Sequence, residues 1–273
     1  MNQERPIIAI LYDFDKTLSP DDMQNFGFVP KLGMQIKDFW QEAWEMTVNN
    51  GMDKILAYML TMVKKCREKG IPMTREYLAS MASTVQFFPG VEGWFSRINR
   101  YARELGVEVE HYIVSSGVKE IIENTPIAKE FREIYGCEFL YDENGLAYWP
   151  KNAINYTAKT QYVFRVAKGV LDSTDEVGVN TRKENLRIPF RNMIYIGDGI
   201  TDIPCMTLIK EKGGKSIAIH PHCQKEKVAH LQAEKRVNYT CCGDYREGSE
   251  LDLLVKQIIE KNAIVETLLQ KES

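Results

Sequence analysis

Carboxylate side chains follow an apolar run near the start of the chain. The run Ile7–Tyr12 leads directly into Asp13, Asp15 and Thr17. A carboxylate beside apolar packing is costly unless it is paired or bound to a cation. One Asp can attack a phosphoryl group covalently, and a second can protonate the leaving oxygen and later deprotonate water. The alternative is a strand that ends in an ordinary polar turn, where Asp and Thr are common.

Two further apolar runs, Val107–Val114 and Met193–Ile196, also end in polar groups. The residues that follow them are Ser115, Ser116 and Gly117 after the first, and Gly197, Asp198, Gly199, Thr201 and Asp202 after the second. In an open parallel sheet the carboxyl ends of the strands share one edge, where such folds bind their ligands. We therefore expect these polar groups to meet at one mouth.

Such a mouth would be strongly anionic, since it would contain Asp13, Asp15, Asp198 and Asp202. Two like charges about 4 Å apart repel by about 4 kcal/mol at the dielectric typical near a protein surface. Several such pairs would rival the roughly 5–15 kcal/mol that keeps a domain folded. A bound cation relieves this repulsion, and oxygen ligands favour Mg²⁺ before Ca²⁺.

Other residues can hold the phosphoryl oxygens. The hydroxyl of Ser115 and the backbone amides near Phe14 and Ser116 are candidates, and a lysine would neutralise the remaining charge in the transition state. Lys159 is the favoured lysine because it begins a helical pattern, and a helix N-terminus adds its own positive end. Lys16 competes with it, but its motif neighbours indicate that it points away.

The order of strand and helix patterns predicts an α/β fold, with a Rossmann-like, mostly parallel sheet flanked by helices. Residues 20–84 show helical patterns and no convincing strand. We therefore predict a small helical insertion at 20–84 within an α/β core of residues 1–19 and 85–273. Asp142–Gly145 is expected to turn a hairpin, 172–187 to form a surface loop, and Ser249 to begin the last helix.

The composition excludes several classes of partner. The net charge of −3 over 273 residues gives no footprint for nucleic acid or an anionic membrane. No apolar run approaches the roughly 20 residues of a membrane span, and the N-terminus does not resemble a signal peptide. We therefore expect a cytoplasmic protein whose partner is a small phosphorylated metabolite. Nothing in the sequence indicates an oligomeric state.

The six cysteines are scattered along the chain, which argues against a disulfide framework. One alternative is a soft-metal site near the C-terminal third. Its candidate ligands are His220, His222, Cys223, His230, Cys241 and Cys242. These residues lack chelating spacing, and adjacent cysteines rarely bind one tetrahedral ion well. We therefore expect reduced, partly buried cysteines instead.

Four segments together resemble the haloacid dehalogenase superfamily, within it the phosphoserine-phosphatase-like branch. They are Asp13-Phe-Asp15-Lys-Thr17, Ser115, Lys159 and Gly197-Asp198-Gly199-x-Thr201-Asp202, in the family's order. The resemblance implies that Asp13 is the nucleophile and that Asp15 is the general acid and base, with Lys159 also catalytic. It implies a Mg²⁺-dependent phosphatase that hydrolyses small-molecule phosphomonoesters through an aspartyl-phosphate. It also implies that the helical insertion at 20–84 is a cap domain over a discontinuous catalytic core of residues 1–19 and 85–273.

The same resemblance assigns the remaining site residues. It implies phosphate contacts from Thr17, Ser115, Ser116, Gly117 and Lys159. It implies Mg²⁺ held by the Asp13 carboxylate, the Asp15 main-chain carbonyl and Asp198, with Gly199 and Asp202 supporting the site. Phosphoserine phosphatases carry a glutamate where this chain has Asp21-Asp22. We also find no match to their cap arginine, so phosphoserine is not the expected substrate.

Other activities of the same superfamily are less consistent with these residues. Dehalogenases need neither metal nor proton donor, and ion-pumping ATPases place Thr where Asp15 stands and need membrane spans. A phosphotransferase or mutase would use the same phospho-Asp and remains an alternative. A non-enzymatic phospho-acceptor module is a further alternative, although both Asp13 and Asp15 are present.

Overall fold

The computed structural model describes residues 5–222 and 224–272. The strands in these residues form one seven-stranded sheet in the order β4-β3-β2-β1-β5-β6-β7. Their bounds are β1 Ile7–Tyr12, β2 Glu108–Val118, β3 Glu133–Tyr141, β4 Ala147–Asn152, β5 Met193–Gly197, β6 Lys215–His220 and β7 Tyr239–Cys242. All neighbouring pairs are parallel except β3 and β4, which are antiparallel. The predicted fold class is confirmed.

Strand β1 lies at the centre of the sheet, paired with β2 on one side and β5 on the other. Its residues from Ile8 to Tyr12 have no exposed surface. A strand covered on both faces is apolar throughout rather than alternating, which explains the run that precedes Asp13.

Helices flank the sheet. Half of the α-helices of the described residues precede β2 in the chain, and the other half follow it. Their bounds are α1 Met23–Phe26, α2 Phe28–Lys31, α3 Ile36–Asn50, α4 Lys54–Glu68, α5 Arg75–Ala79, α6 Val91–Glu104, α7 Lys119–Ile122, α8 Ala158–Lys168, α9 Glu176–Asn180, α10 Ile203–Glu211, α11 Glu226–Ala233 and α12 Glu250–Glu272. Short 3₁₀ turns occupy Ser80–Thr84, Ala128–Glu130 and Phe190–Asn192.

The segment between β1 and α6 is helical, as the sequence patterns indicate. Helix α4 begins where the Asp53 side chain accepts hydrogen bonds from two backbone amides of its first turn. The chain enters and leaves this segment side by side, since the Phe88 amide donates to the Leu18 carbonyl at 2.9 Å. These features agree with an insertion between 20 and 84, although the division into cap and core stays a prediction.

Several elements differ from the sequence prediction. Strand β2 continues to Val118, so Ser115 and its neighbours lie within the strand end rather than after it. Strands β6 and β7 were not predicted. The predicted hairpin at Asp142–Gly145 is confirmed, and its first strand also pairs with β2.

The predicted loop at 172–187 contains the short helix α9. Hydrogen bonds from arginine side chains hold it in place. The guanidinium of Arg165 donates to the carbonyls of Asp172 and Ser173 at 2.6 and 2.9 Å. At the far end of the loop, Arg187 forms two hydrogen bonds with the Glu110 carboxylate. The loop is therefore anchored at both ends.

Candidate active site

Three carboxylates meet at the carboxyl ends of β1 and β5. Asp13 follows β1, and its amide donates to the Ile196 carbonyl of β5 at 2.9 Å. One oxygen atom each from Asp13, Asp198 and Asp202 lies within 4.8 Å of the other two. The parallel register of the two strands therefore brings these side chains together.

Lys159 lies beside this cluster at the first turn of α8. Its Nζ lies 2.7 Å from Asp202 Oδ1 and 3.1 Å from Asp13 Oδ2, and the side chain has no exposed surface. Burial disfavours the charged ammonium, but the charges of Asp13 and Asp202 outweigh it and raise the pKa of Lys159. The lysine is therefore fully charged at neutral pH.

Asp202 is connected to its neighbours in the cluster by several hydrogen bonds. Its oxygens accept hydrogen bonds from the Tyr195 hydroxyl at 2.8 Å, the Asp198 amide at 3.2 Å and the Gly199 amide at 3.3 Å. A β-carbon at Gly197 would lie 2.6 Å from Asp202 Cγ, so glycine is required there for this approach. Asp202 positions Lys159 and the loop after β5, and it does not line the cavity described below.

Asp13 and Asp198 line the cavity, and their surroundings disfavour the ionised form of each carboxyl group. Burial and the charge of Asp202 raise the pKa of Asp13 to about 6, although Lys159 and the Phe14 amide oppose the shift. Burial, Asp202 and Asp13 raise the pKa of Asp198 well above its usual value. One lysine does not neutralise three carboxylates. Their oxygen-only donor set fits a hard divalent cation such as Mg²⁺.

Asp15 faces the same cavity. Its Oδ1 accepts a hydrogen bond from the Met23 amide at 2.8 Å, at the start of α1. Burial and the charges of Asp22 and Asp13 raise the pKa of Asp15 well above its usual value. A β-carbon at Gly117 would lie 3.0 Å from Asp15 Oδ2 and 2.2 Å from Met23 Cε. Glycine at 117 therefore allows β2 to approach Asp15.

The predicted phosphate contacts divide into two groups. Ser115, Ser116 and Gly117 line the cavity. The Ser115 hydroxyl oxygen accepts from the Gly117 amide at 3.0 Å, and the buried Ser116 hydroxyl has no partner. Thr17 is wholly buried and is not among the lining residues, although its hydroxyl also lacks a partner. The structure therefore brings the β2 residues to the cavity, but neither Thr17 nor the fifth predicted contact, Lys159, is among its lining residues.

The cavity has a volume of about 610 Å³ and continues from the carboxylates to α3 and α4. Trp40, Trp44 and Tyr58 all line it, which the helical patterns alone do not show. The Tyr58 hydroxyl donates to the Ser116 carbonyl at 2.7 Å, which joins α4 to the end of β2. Gln24 of α1 also lines the cavity, and no sequence pattern indicated it.

Lys16 requires a correction. We expected it to point away from the site, but it lines the cavity, and its Nζ forms a 2.7 Å salt bridge with Asp22. Its backbone adopts a positive φ of 58°, unusual for a residue other than glycine, which turns the chain after Asp15. Asp22 is one of the two aspartates that stand where phosphoserine phosphatases carry their glutamate. Its carboxylate is already paired, because it binds Lys16.

The expectation of free cysteines is confirmed for the described residues. Cys66, Cys137, Cys205 and Cys241 are free and buried. The aspartate cluster is the one candidate group of metal ligands in residues 5–222 and 224–272, so the soft-metal alternative gains no support there. Cys223, one of its proposed ligands, lies outside the described residues.

The sequence profile of the haloacid dehalogenase-like hydrolases matches residues 10–207. The chain belongs to this family. The match spans β1, the helical segment and the Asp198–Asp202 loop, so it includes the residues that form the cluster. No helix in the described part of this hydrolase is long and apolar enough to cross a membrane.

Solved structures with the same fold include other hydrolases of the family. A haloacid dehalogenase family hydrolase from Salmonella enterica serovar Typhi has a TM-score of 0.60 and 15% identity, covering 94% of this chain and 72% of that one. A phosphoserine phosphatase solved as a phospho-aspartyl intermediate analogue has a TM-score of 0.55 and 14% identity, covering 93% and 99%. An uncharacterized protein of Borreliella burgdorferi is 26% identical, covering 92% of this chain and 96% of its own.

Proposed function

We propose that this haloacid dehalogenase-like hydrolase is a Mg²⁺-dependent phosphatase that hydrolyses small-molecule phosphomonoesters through an aspartyl-phosphate. The observation that carries the proposal is the environment of Asp13. The Phe14 amide donates to its Oδ1 at 2.7 Å, and the buried Lys159 ammonium lies 3.1 Å from its Oδ2. A carboxylate held on both sides in this way is oriented for attack from a fixed position.

In the first step an oxygen of Asp13 attacks phosphorus, and the bond from phosphorus to the leaving oxygen breaks. Asp15 donates its proton to that oxygen, so the alcohol leaves neutral. In the second step Asp15 takes a proton from water, which attacks the aspartyl-phosphate. The phosphorus–carboxylate bond breaks, and inorganic phosphate and free Asp13 result. Both carboxylates line the same cavity, as this sequence requires.

The charge of the transferring phosphoryl group needs compensation in both steps. Lys159 supplies one positive charge, and the Ser115 hydroxyl with the amides near Phe14 and Ser116 supplies hydrogen bonds. The Asp13 carboxylate, the Asp15 carbonyl and Asp198 would hold Mg²⁺, which stabilises phosphoryl oxygens when bound. Gly199 and Asp202 support these groups through the bonds described above. The phosphate contact from Thr17 stays a prediction of the resemblance, because Thr17 lies outside the cavity lining and its amide and carbonyl bond to Phe14 and Tyr245.

We further propose that residues 20–84 act as the cap of a core formed by 1–19 and 85–273. Support comes from the cavity lining, because residues of α3 and α4 line the cavity together with the loop of Asp198 to Thr201. The proposed substrate, a small phosphorylated metabolite, would then be enclosed between the two parts.

The test is phosphate release from a broad panel of phosphomonoesters, with Mg²⁺ and with EDTA. Asp13→Asn removes the nucleophile at nearly constant volume and should abolish release, while Asp38→Asn, an exposed carboxylate of α3, should not. Mass spectrometry of the denatured enzyme should detect a phosphate adduct on Asp13. Release that survives in Asp13→Asn would refute the assignment. A persistent adduct without release would instead favour a phosphotransferase or a phospho-acceptor.

A further inference from the structure

Beyond the carboxylates, the cavity has a wall of different chemistry. Trp40 and Trp44 of α3 and Tyr58 of α4 provide three aromatic rings, and Gln24 lies in the same wall. We call these four residues the aromatic wall. None of them is charged. A leaving group that lies against them meets ring surface and one carboxamide.

Two of the three rings are held in place by hydrogen bonds. Trp40 donates its indole N–H to Asn25 Oδ1 at 2.8 Å, and Tyr58 donates its hydroxyl to the Ser116 carbonyl at 2.7 Å. The ring centroids of Trp40 and Tyr58 lie 6.0 Å apart with the planes tilted by 59°. Since the polar atoms of both rings are already bonded, the rings present apolar surface in a fixed arrangement.

Two large apolar side chains that line the cavity are exposed to solvent. Trp44 is 58% exposed on α3, and Ile200 is 72% exposed in the loop after β5. Both line the cavity, although one belongs to the helical segment and the other to the core. Large apolar side chains exposed in a concave site are typical of a surface that a ligand covers.

Gln24 supplies the polar contact. Its side chain is only 2% exposed, yet its carboxamide oxygen has no hydrogen-bond partner. A buried amide without a partner is unfavourable, and a ligand group that bonds to it removes that cost. The neighbouring Asp22 is not available for a substrate ammonium because Lys16 binds it. Among the described residues that line the cavity, no arginine is present for a substrate carboxylate.

We propose that the leaving alcohol of the substrate carries an uncharged aromatic ring, which packs against the aromatic wall and bonds to Gln24 through a polar substituent. This inference rests on the proposed phosphatase activity and names its substrate class. Lys54 and Lys227 also line the cavity and are exposed, so their positive charges attract the phosphate dianion.

The experiment compares benzyl phosphate with cyclohexylmethyl phosphate. The two alcohols are similar in leaving ability and size, but the saturated ring is the more hydrophobic, so burial alone favours it. Aromatic pairing favours the flat ring instead. We expect kcat/KM for benzyl phosphate to exceed that for cyclohexylmethyl phosphate, phosphoserine and carboxybenzyl phosphate by about tenfold or more.

Single substitutions show which residues cause the preference for benzyl phosphate. Trp44→Leu, at an exposed position where folding is not at risk, should lower the benzyl to cyclohexylmethyl ratio by about threefold. Trp149→Leu is the matched control, because Trp149 is 64% exposed on β4 and does not line the cavity. It should leave the ratio unchanged. Gln24→Leu should remove the advantage of the best hydroxybenzyl phosphate isomer over benzyl phosphate.

The outcomes separate this inference from the proposed function. If no phosphomonoester, ethyl phosphate included, is hydrolysed, the phosphatase assignment itself fails. If esters are hydrolysed but the ratio is near one, or if phosphoserine or carboxybenzyl phosphate is preferred, only the aromatic leaving group is refuted. A ratio that falls equally in Trp149→Leu would also overturn the role of the aromatic wall.

Discussion

Lys159 and Asp202 form a 2.7 Å salt bridge in which neither side chain has any exposed surface. The same ammonium lies 3.1 Å from the proposed nucleophile Asp13. Removing one partner of a buried ion pair leaves an uncompensated charge, which costs far more than the intact pair contributes. The stability of the fold and the proposed chemistry therefore depend on one lysine.

Lys159→Met should destabilise the protein by about 3–5 kcal/mol and abolish turnover, because Asp13 and Asp202 lose their shared cation. Urea unfolding and phosphate release measure the two effects. Lys151→Met is the control, since the Lys151 side chain is 54% exposed and pairs with Glu138 at 2.7 Å, and exposed ion pairs contribute little. Equal losses in both variants would contradict the importance of the buried pair.

Gly197→Ala should lower both stability and activity. The added β-carbon would lie 2.6 Å from Asp202 Cγ, and Asp202 cannot retreat because its oxygens are bonded on several sides. Overpacking of this kind costs about 1–3 kcal/mol. Gly93→Ala, within α6 and free of close contacts, should instead stabilise by about 0.5–1 kcal/mol. A neutral effect of Gly197→Ala in thermal unfolding and in turnover would show that the cluster can shift freely.

Asp198→Asn should weaken the binding of Mg²⁺, because it removes one carboxylate ligand and one charge. In the unmodified protein, Mg²⁺ at 100 times its dissociation constant should stabilise the fold by about 2.7 kcal/mol, and EDTA should reverse this. Thermal unfolding with and without Mg²⁺ measures the difference. Asp38→Asn should respond to Mg²⁺ like the unmodified protein. An unchanged response in Asp198→Asn would place the ion elsewhere.

His111 makes stability depend on pH. Its Nδ1 lies 3.0 Å from the Tyr12 hydroxyl and its Nε2 lies 2.9 Å from Asn99 Oδ1, and burial lowers its pKa to about 3. Below its ordinary pKa of about 6.5 the unfolded chain binds a proton that the folded protein does not, so stability falls as pH falls. The slope from this residue is about 1.4 kcal/mol per pH unit.

The comparison of unmodified protein with His111→Gln isolates this effect. Urea unfolding between about pH 6 and pH 4 should show the unmodified protein losing stability faster than the variant. Other titrating groups contribute to both curves and cancel in the difference. Parallel curves would mean that the folded protein accommodates the histidinium.

The central strand and the long helices of the first half could be predicted because their burial leaves a clear pattern. Ile7–Tyr12 is apolar throughout, and the bounds of β1 agree with it. Helices α3 and α4 follow the helical spacing of their buried residues. Strand β7 escaped prediction since it has four residues and only one of them is buried.

The carboxylate cluster was predictable because parallel strands place their carboxyl ends at one edge. The aromatic wall was not. A helical pattern shows which face of a helix is covered, but a face toward a cavity and a face toward packed side chains have the same spacing. The spacing therefore did not show that Tyr58 lines a cavity, and Gln24, which lies in a four-residue helix, left no pattern.

The hydrogen bond from the Met23 amide to Asp15 Oδ1 joins the proposed acid, which follows β1, to the start of α1 in the helical segment. A displacement of α1 would deprive that oxygen of its donor and leave the carboxyl group free to rotate away from the leaving oxygen. The orientation of the proposed acid therefore depends on the position of α1 as well as on the strand that precedes it.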